Sequence, residues 1–251
     1  MKPLSRLTTG FASLPRHLPS VITRRWMGPV AAAAALATLV ACSSQPPVPE
    51  WQLNAHGAAE RALQAYLTGN QRVEAAEWAR ARQALASTGR ADLLARAELL
   101  RCAAQVASLA MPLTCEGFAA LAVDATPAEK AYARYLEGRG LLAGDVAMLP
   151  ESQRATAQAL MSGQEQLAQQ AVGAAAPAEP LSSLVAAGVL FRAGRAGPQV
   201  VAGAVNMASA QGWRRPLMAW LTVQAEQAER AGDAPLAEQA RRRLALMALS
   251  P

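Results

Sequence analysis

Residues 91–110 read ADLLARAELLRCAAQVASLA. Leu93, Ala97, Leu100, Ala104 and Ala107 recur at steps of three and four, while Glu98, Arg101, Gln105 and Ser108 hold another face. Side chains at that spacing share one side of a 3.6-residue helix, so the stretch predicts an amphipathic helix with its apolar stripe turned to a core. Pro112 closes it, since proline lacks a backbone N–H and crowds the preceding turn.

The pattern repeats on both sides. Upstream, blocks 51–68 and 71–87 end at Gly69-Asn70 and near Gly89. Downstream, a short helix is expected over 116–122. Thr126-Pro127-Ala128-Glu129 is a start signal for the next: Thr126 can cap, Pro127 suits the first helical position, and Glu129 completes a capping box. That block runs to about 143. Pro150 opens one reaching about 172, a loop covers 173–180, and the last third is 181–193, 199–211, 216–231 and 234–248, punctuated by glycines. Residues 51–251 are rich in Ala, Leu, Gln, Arg and Glu and poor in β-branched and aromatic residues, which predicts a single all-α domain. An alanine-rich core buries little area per residue, so many thin helices are expected.

Helices of this length with short glycine turns make antiparallel helical hairpins. Two of the hairpins resemble the tetratricopeptide repeat. Gly232-Asp233 falls at the turn of the last, with Ala237 at a small position. Gly69-Asn70 turns the first, with Trp78 and Ala81 at later aromatic and small positions. Arg241 stands where that pattern has an aromatic, and Glu74 where it has a small residue. The resemblance implies hairpins stacked as a tetratricopeptide-like solenoid or an irregular helical array.

Residues 22–42 read ITRRWMGPVAAAAALATLVAC. Two arginines precede an uncharged run of 16 residues, 26–41, shorter than the roughly 20 that span a bilayer. It reads as the core of a signal peptide over 1–41. Its end, Leu39-Val40-Ala41-Cys42, resembles the lipobox of bacterial lipoproteins. That resemblance implies cleavage before Cys42, diacylglycerol on its thiol, and a mature chain held on the membrane by lipid. Each buried CH₂ adds about 0.8 kcal/mol, so two or three acyl chains make a lasting anchor. Ser43 and Ser44, by the same resemblance, imply outer-membrane sorting and a body facing the periplasm. Thr23-Arg24-Arg25 is similar to a twin-arginine signal, but Met27-Gly28 replaces the apolar pair of that pattern, which favours general secretion. The long stretch before Thr23 suggests a true translation start further in. Residues 43–50, SSQPPVPE, form a Pro-rich tether of roughly 25 Å at about 3.1 Å per residue.

The leader also settles the charge. Lys2, Arg6, Arg16, Arg24 and Arg25 lie in a stretch without Asp or Glu, and 24 basic residues less these five leave 19 against 18 acidic. The net charge of +6 becomes +1 once the leader is gone, and the nucleic-acid reading invited by a basic chain is discarded.

After Cys42 the remaining cysteines are Cys102 and Cys115. Pro112 lets the chain fold back, and an oxidising compartment permits a disulfide, whose loop of about 14 residues would be worth roughly 3 kcal/mol. Two buried thiols, a redox pair or a metal site are the alternatives, although redox motifs usually space cysteines by two and no histidine cluster accompanies these.

Signs of chemistry are few. His56 is the one histidine beyond the leader, and no nucleophile elbow surrounds it. Glu151-Ser152 has the dipeptide of lytic transglycosylases, but their later Ala-Tyr-Asn segment is absent, and Glu151 reads as a favourable charge in a first helical turn. Arg241, Arg242 and Arg243 complement the end of the last helix. Trp213, Arg214 and Arg215 would form an interface anchor if the tryptophan were exposed, core being the default for it. No cofactor or metal is expected. The leading expectation is a noncatalytic interaction or scaffold module with an envelope protein partner. The alternative is a cell-wall enzyme or its accessory, which requires a cleft converging on carboxylates such as Glu129, Glu137 or Glu151.

Overall fold

The computed structural model describes residues 47–111, 115–164, 166, 170 and 179–248. The expectations for the leader, the lipobox residues Leu39, Val40 and Ala41, and Cys42 fall outside the described residues. The described helices belong to the unit Val48–Pro251.

Every regular element among the described residues is a helix, as the composition predicts. Helices α1 (Glu50–Thr68) and α2 (Gln71–Ala86) form the first hairpin. Ala55, Ala58, Ala62 and Ala65, at steps of three and four, make the buried stripe of α1, so small that α2 packs close with Trp78, Ala81 and Leu85. Gly69 closes α1 with φ 94°, a conformation costly for residues with a Cβ. Asn70 then caps α2 through its side chain, which accepts from the Val73 N–H at 3.2 Å.

Helix α3 (Ala91–Ala107) lies at the centre. It touches α1 and α2 on one side and α5 and α8 on the others. Its buried residues include Ala104 and Ala107 of the expected stripe, together with Ala95, Glu98, Leu99, Cys102, Ala103 and Val106, which lie outside it. Leu93, Ala97 and Leu100 are half-buried, whereas Glu98 is 4% exposed and paired with Arg82 of α2. A helix covered on several sides has no single wet face, and a buried carboxylate survives there because it has a cation. The expected 91–110 block is also shorter, ending at Ala107.

A disulfide joins Cys102 to Cys115, with Cα atoms 5.4 Å apart. Beyond it come α4 (Glu116–Ala119), α5 (Pro127–Glu137), α6 (Asp145–Met148) and α7 (Glu151–Met161). The capping box of α5 forms as anticipated: Thr126 Oγ1 accepts from the Glu129 N–H, and Glu129 Oε2 accepts from the Thr126 N–H at 2.8 Å. Three blocks are shorter than expected. α4 stops at Ala119 rather than 122. α5 stops at Gly138, with φ 73°, rather than near 143. α7 stops at Met161, ahead of Gly163 at φ 69°, and much of the rest of that block lies outside the described residues. Each glycine that ends α5 or α7 takes a left-handed conformation that propensity did not place.

Helices α8 (Pro180–Arg192), α9 (Pro198–Ala210), α10 (Arg214–Ala231) and α11 (Ala234–Ala248) complete the chain, the last two as a hairpin turning at Gly232-Asp233. α8 packs on α3, and α10 reaches back to α1. Tyr135 of α5 donates to Gln153 of α7 at 2.7 Å, and Gln153 donates to the carbonyl of Ser182 in α8 at 3.0 Å. This chain of hydrogen bonds locks three helices around a buried amide that would otherwise be costly.

Candidate functional site

A cleft of about 960 Å³ lies between α1, α3 and α5, with a wall from the α6–α7 junction. Leu93, Ala97 and Leu100 of α3 form its floor. These are the residues whose spacing predicted a core-facing stripe, and they are half-buried because that stripe lines an open cleft. Trp51, Ala55 and His56 of α1 face it from one side, Tyr132 of α5 from another, and Met148, Leu149 and Pro150 close an end. The lining is largely apolar. Its size matches the general range for ligand sites, about 300–1,000 Å³.

Both arginines of the lining, Arg90 and Arg96, meet carboxylates. Glu129 is 5% exposed; one oxygen serves the capping box and the other accepts from Arg96 at 3.2 and 3.3 Å. Arg90 pairs with Asp92 at 2.5 Å, and that hydrogen bond holds the Asp92 carboxyl below its usual range. His56 is exposed and lies 3.2 Å from Glu60. Tyr132 stacks on Tyr135, ring centroids 6.1 Å apart, and desolvation pushes its phenol above its ordinary range. The lining therefore combines apolar side chains with the ion pairs of Arg90 and Arg96, and it includes no Ser, Thr or Cys among the described residues.

Glu129, Glu137 and Glu151 are not brought together. Glu129 lines the cleft; Glu137 is exposed at the end of α5 and Glu151 exposed at the start of α7, neither of them in the lining. Among the described residues no group of three or more His, Cys, Asp or Glu could hold a metal ion, and no helix is long and apolar enough to cross a membrane.

Trp213, Arg214 and Arg215 do not form an exposed anchor. Trp213 is 8% exposed. Arg214 donates to the Met247 carbonyl at 3.0 Å, and Arg215 donates to the Tyr66 carbonyl at 2.8 Å while its guanidinium sits 4.4 Å from the Tyr66 ring centre. The cluster clamps α10 to α1 and α11, with both cations on carbonyls in the last turns of those helices. Arg241 pairs with Glu229 and Glu238, and Arg243 donates to Ser209 at 3.3 Å.

Sequence reasoning missed Trp51, Tyr132 and Met148 as neighbours of the α3 stripe. They come from separate helices, and no spacing rule joins them. Comparison with protein-family models, curated proteins and solved structures finds no match to this chain.

Proposed function

We propose that this chain is a bacterial lipoprotein anchored through lipid on Cys42, most naturally at the outer membrane facing the periplasm, and that its helical body is a noncatalytic scaffold. The cleft carries this reading. It offers an apolar floor of Leu93, Ala97 and Leu100 under a rim of already paired charges. Such a surface gains free energy from apolar area removed from water and has little free charge with which to do chemistry. Its fitting occupant is an apolar segment of an envelope protein partner. Within the all-α class, we read the arrangement as an irregular helical array with tetratricopeptide-like hairpins at its two ends. Contacts between α10 and α1 support this over a simple linear stack. Arg241 at the aromatic position, in ion pairs with Glu229 and Glu238, is a surface departure from the repeat.

A photo-crosslinking residue at Leu93 or Ala97, in intact cells at native expression, is expected to give a discrete heavier species. Recovery of monomer alone from both positions would sink the scaffold reading. Mass spectrometry of the N-terminal peptide tests the anchor separately: diacylglycerol on Cys42 is expected, and an unmodified cysteine after cleavage overturns it.

A further inference from the structure

A polar concavity of about 240 Å³ lies where the C-terminal ends of α5, α7 and α8 meet. Arg139 and Arg195 line it together with Gly138, Leu160 and Met161, and among the described residues no carboxylate does. Arg192 stands beside them: its Nε donates to the Glu137 carbonyl at 3.4 Å, and its Nη1 lies 3.8 Å from Met111 Sδ. Gly138 permits this approach. A Cβ on it would fall 3.0 Å from both Arg192 Cβ and the Val189 carbonyl oxygen. Arg195 donates once, to the Leu160 carbonyl at 3.2 Å.

Arg61, Arg82, Arg96, Arg101 and Arg134 each meet a carboxylate. Among the described residues Arg139, Arg192 and Arg195 meet none, as is also true of arginines such as Arg214 and Arg215 that are spent on carbonyls, and the Arg139 side chain makes no hydrogen bond there. Cations at helix C-termini complement the helix dipole, which is reason enough for arginine to stand here. Each helix end carries only about half a negative charge, however, so three ends offset about half of three guanidiniums. Among the described residues the acidic group acting on Arg192 is Glu137. After burial, the largest influence on Arg192 is repulsion from Arg139, ahead of the attraction of Glu137.

We propose that Arg139, Arg192 and Arg195 form a binding site for a phosphate group, borne either by a soluble phosphomonoester or by an anionic lipid headgroup. Guanidinium forks match phosphate oxygens two at a time, and most of the donors here are unspent. A phosphomonoester, carrying about −1.5 to −2 charges, answers more than one guanidinium at once, and a phosphodiester headgroup, with a single charge, still offers two free oxygens to the forks.

The test uses the full chain carrying Cys42→Ser, so that no attached lipid drives membrane insertion. Inorganic phosphate is titrated by calorimetry against chloride at matched ionic strength, and sedimentation compares phosphatidylglycerol with phosphatidylcholine vesicles. Saturable binding is expected in at least one arm, weakened roughly tenfold or more by Arg139→Gln and by Arg195→Gln. Arg139→Lys should fall between, because it keeps charge without the fork; Arg242→Gln, exposed on α11, should change nothing. Arg139→Gln removes no hydrogen bond or ion pair among the described residues, so its melting curve should overlay that of the parent, and weaker binding with an unchanged curve cannot be misfolding. Phosphate binding without preference for phosphatidylglycerol assigns a soluble phosphomonoester. Preference for phosphatidylglycerol lost in Arg139→Gln assigns a headgroup. If neither ligand depends on Arg139 or Arg195, the proposal is overturned.

Discussion

The indole N–H of Trp220 donates to the backbone carbonyl of Ala107 at 2.9 Å, across 113 residues of chain. Ala107 is the last residue of α3, so its carbonyl has no intrahelical partner. Trp220 is fully buried and meets Phe191 edge to face, ring centres 5.9 Å apart. One side chain therefore ties α10 to the central helix and satisfies an orphan acceptor. Trp220→Phe keeps most of the apolar bulk but strands that carbonyl, and is expected to cost about 1–3 kcal/mol. Trp220→Ala adds a cavity, for about 3–5 kcal/mol. Urea denaturation followed by circular dichroism measures both, and a Phe variant as stable as the parent would mean that the bond contributes nothing.

Gly188 of α8 sits directly on the backbone of α3. A Cβ there would meet the Val106 carbonyl oxygen and lie 2.8 Å from its carbonyl carbon. Backbone cannot swing aside, so Gly188→Ala must push α8 and α3 away from each other and should cost about 3 kcal/mol. Gly117→Ala is the useful contrast, since its Cβ would meet the carboxylate of Glu98, the movable end of a side chain. Its cost should stay near 1 kcal/mol. Equal losses in thermal melts would contradict the distinction.

Those two close approaches mark how far the sequence could be read. Helix type and most starts were legible, because Thr126-Pro127-Ala128-Glu129 and Gly69-Asn70 act through neighbours in the chain. The buried face of α3 was legible only in its last turns, at Ala104 and Ala107. Periodicity assumes one wet side, and α3 is packed by α1, α2, α5 and α8, which admits Glu98 once Arg82 is beside it. The apolar stripe Leu93, Ala97 and Leu100 was correctly seen as apolar and assigned to core, although its neighbours leave it open as the cleft floor. Arg139, Arg192 and Arg195 are ordinary surface residues by sequence. Their proximity arises from where three helices happen to stop, set by Gly138, Gly163 and Gly194 in left-handed conformations.

The Cys102–Cys115 disulfide pins the segment after α3 back onto that helix. Leu109 and Cys115 both take positive φ there, 52° and 41°, conformations that L-residues adopt at some cost and that the surrounding structure must enforce. Reduction, or paired Cys102→Ala and Cys115→Ala substitution, should lower stability by about 3 kcal/mol through the freed unfolded chain. The lesion should act on α4 and leave the α1–α2 hairpin protected in hydrogen exchange. Unchanged denaturation midpoints with and without reductant would show that the crosslink carries no stability.

Asp145 supplies a pH dependence whose sign is fixed by its partners. It is 1% exposed and accepts from Arg134 at 2.6 and 2.8 Å and from the Leu142 N–H at 2.8 Å. The hydrogen bonds to Arg134, the largest cause, hold its carboxyl below the usual range in the folded chain, whereas in the unfolded chain it titrates near about 3.9. A depressed native value means that the stabilisation is fully present above the unfolded value and is lost as pH falls through the native one. Asp145→Asn should therefore cost about 2 kcal/mol at neutral pH, and its deficit relative to the parent should shrink steadily below about pH 4. Because α6 carries Met148 into the wall of the cleft, the same variant should also weaken any ligand held on Leu93 and Leu100. Urea midpoints at neutral pH and on the acid limb give the comparison. A deficit that stays constant into strong acid would assign the loss to packing and remove Asp145 from the acid response.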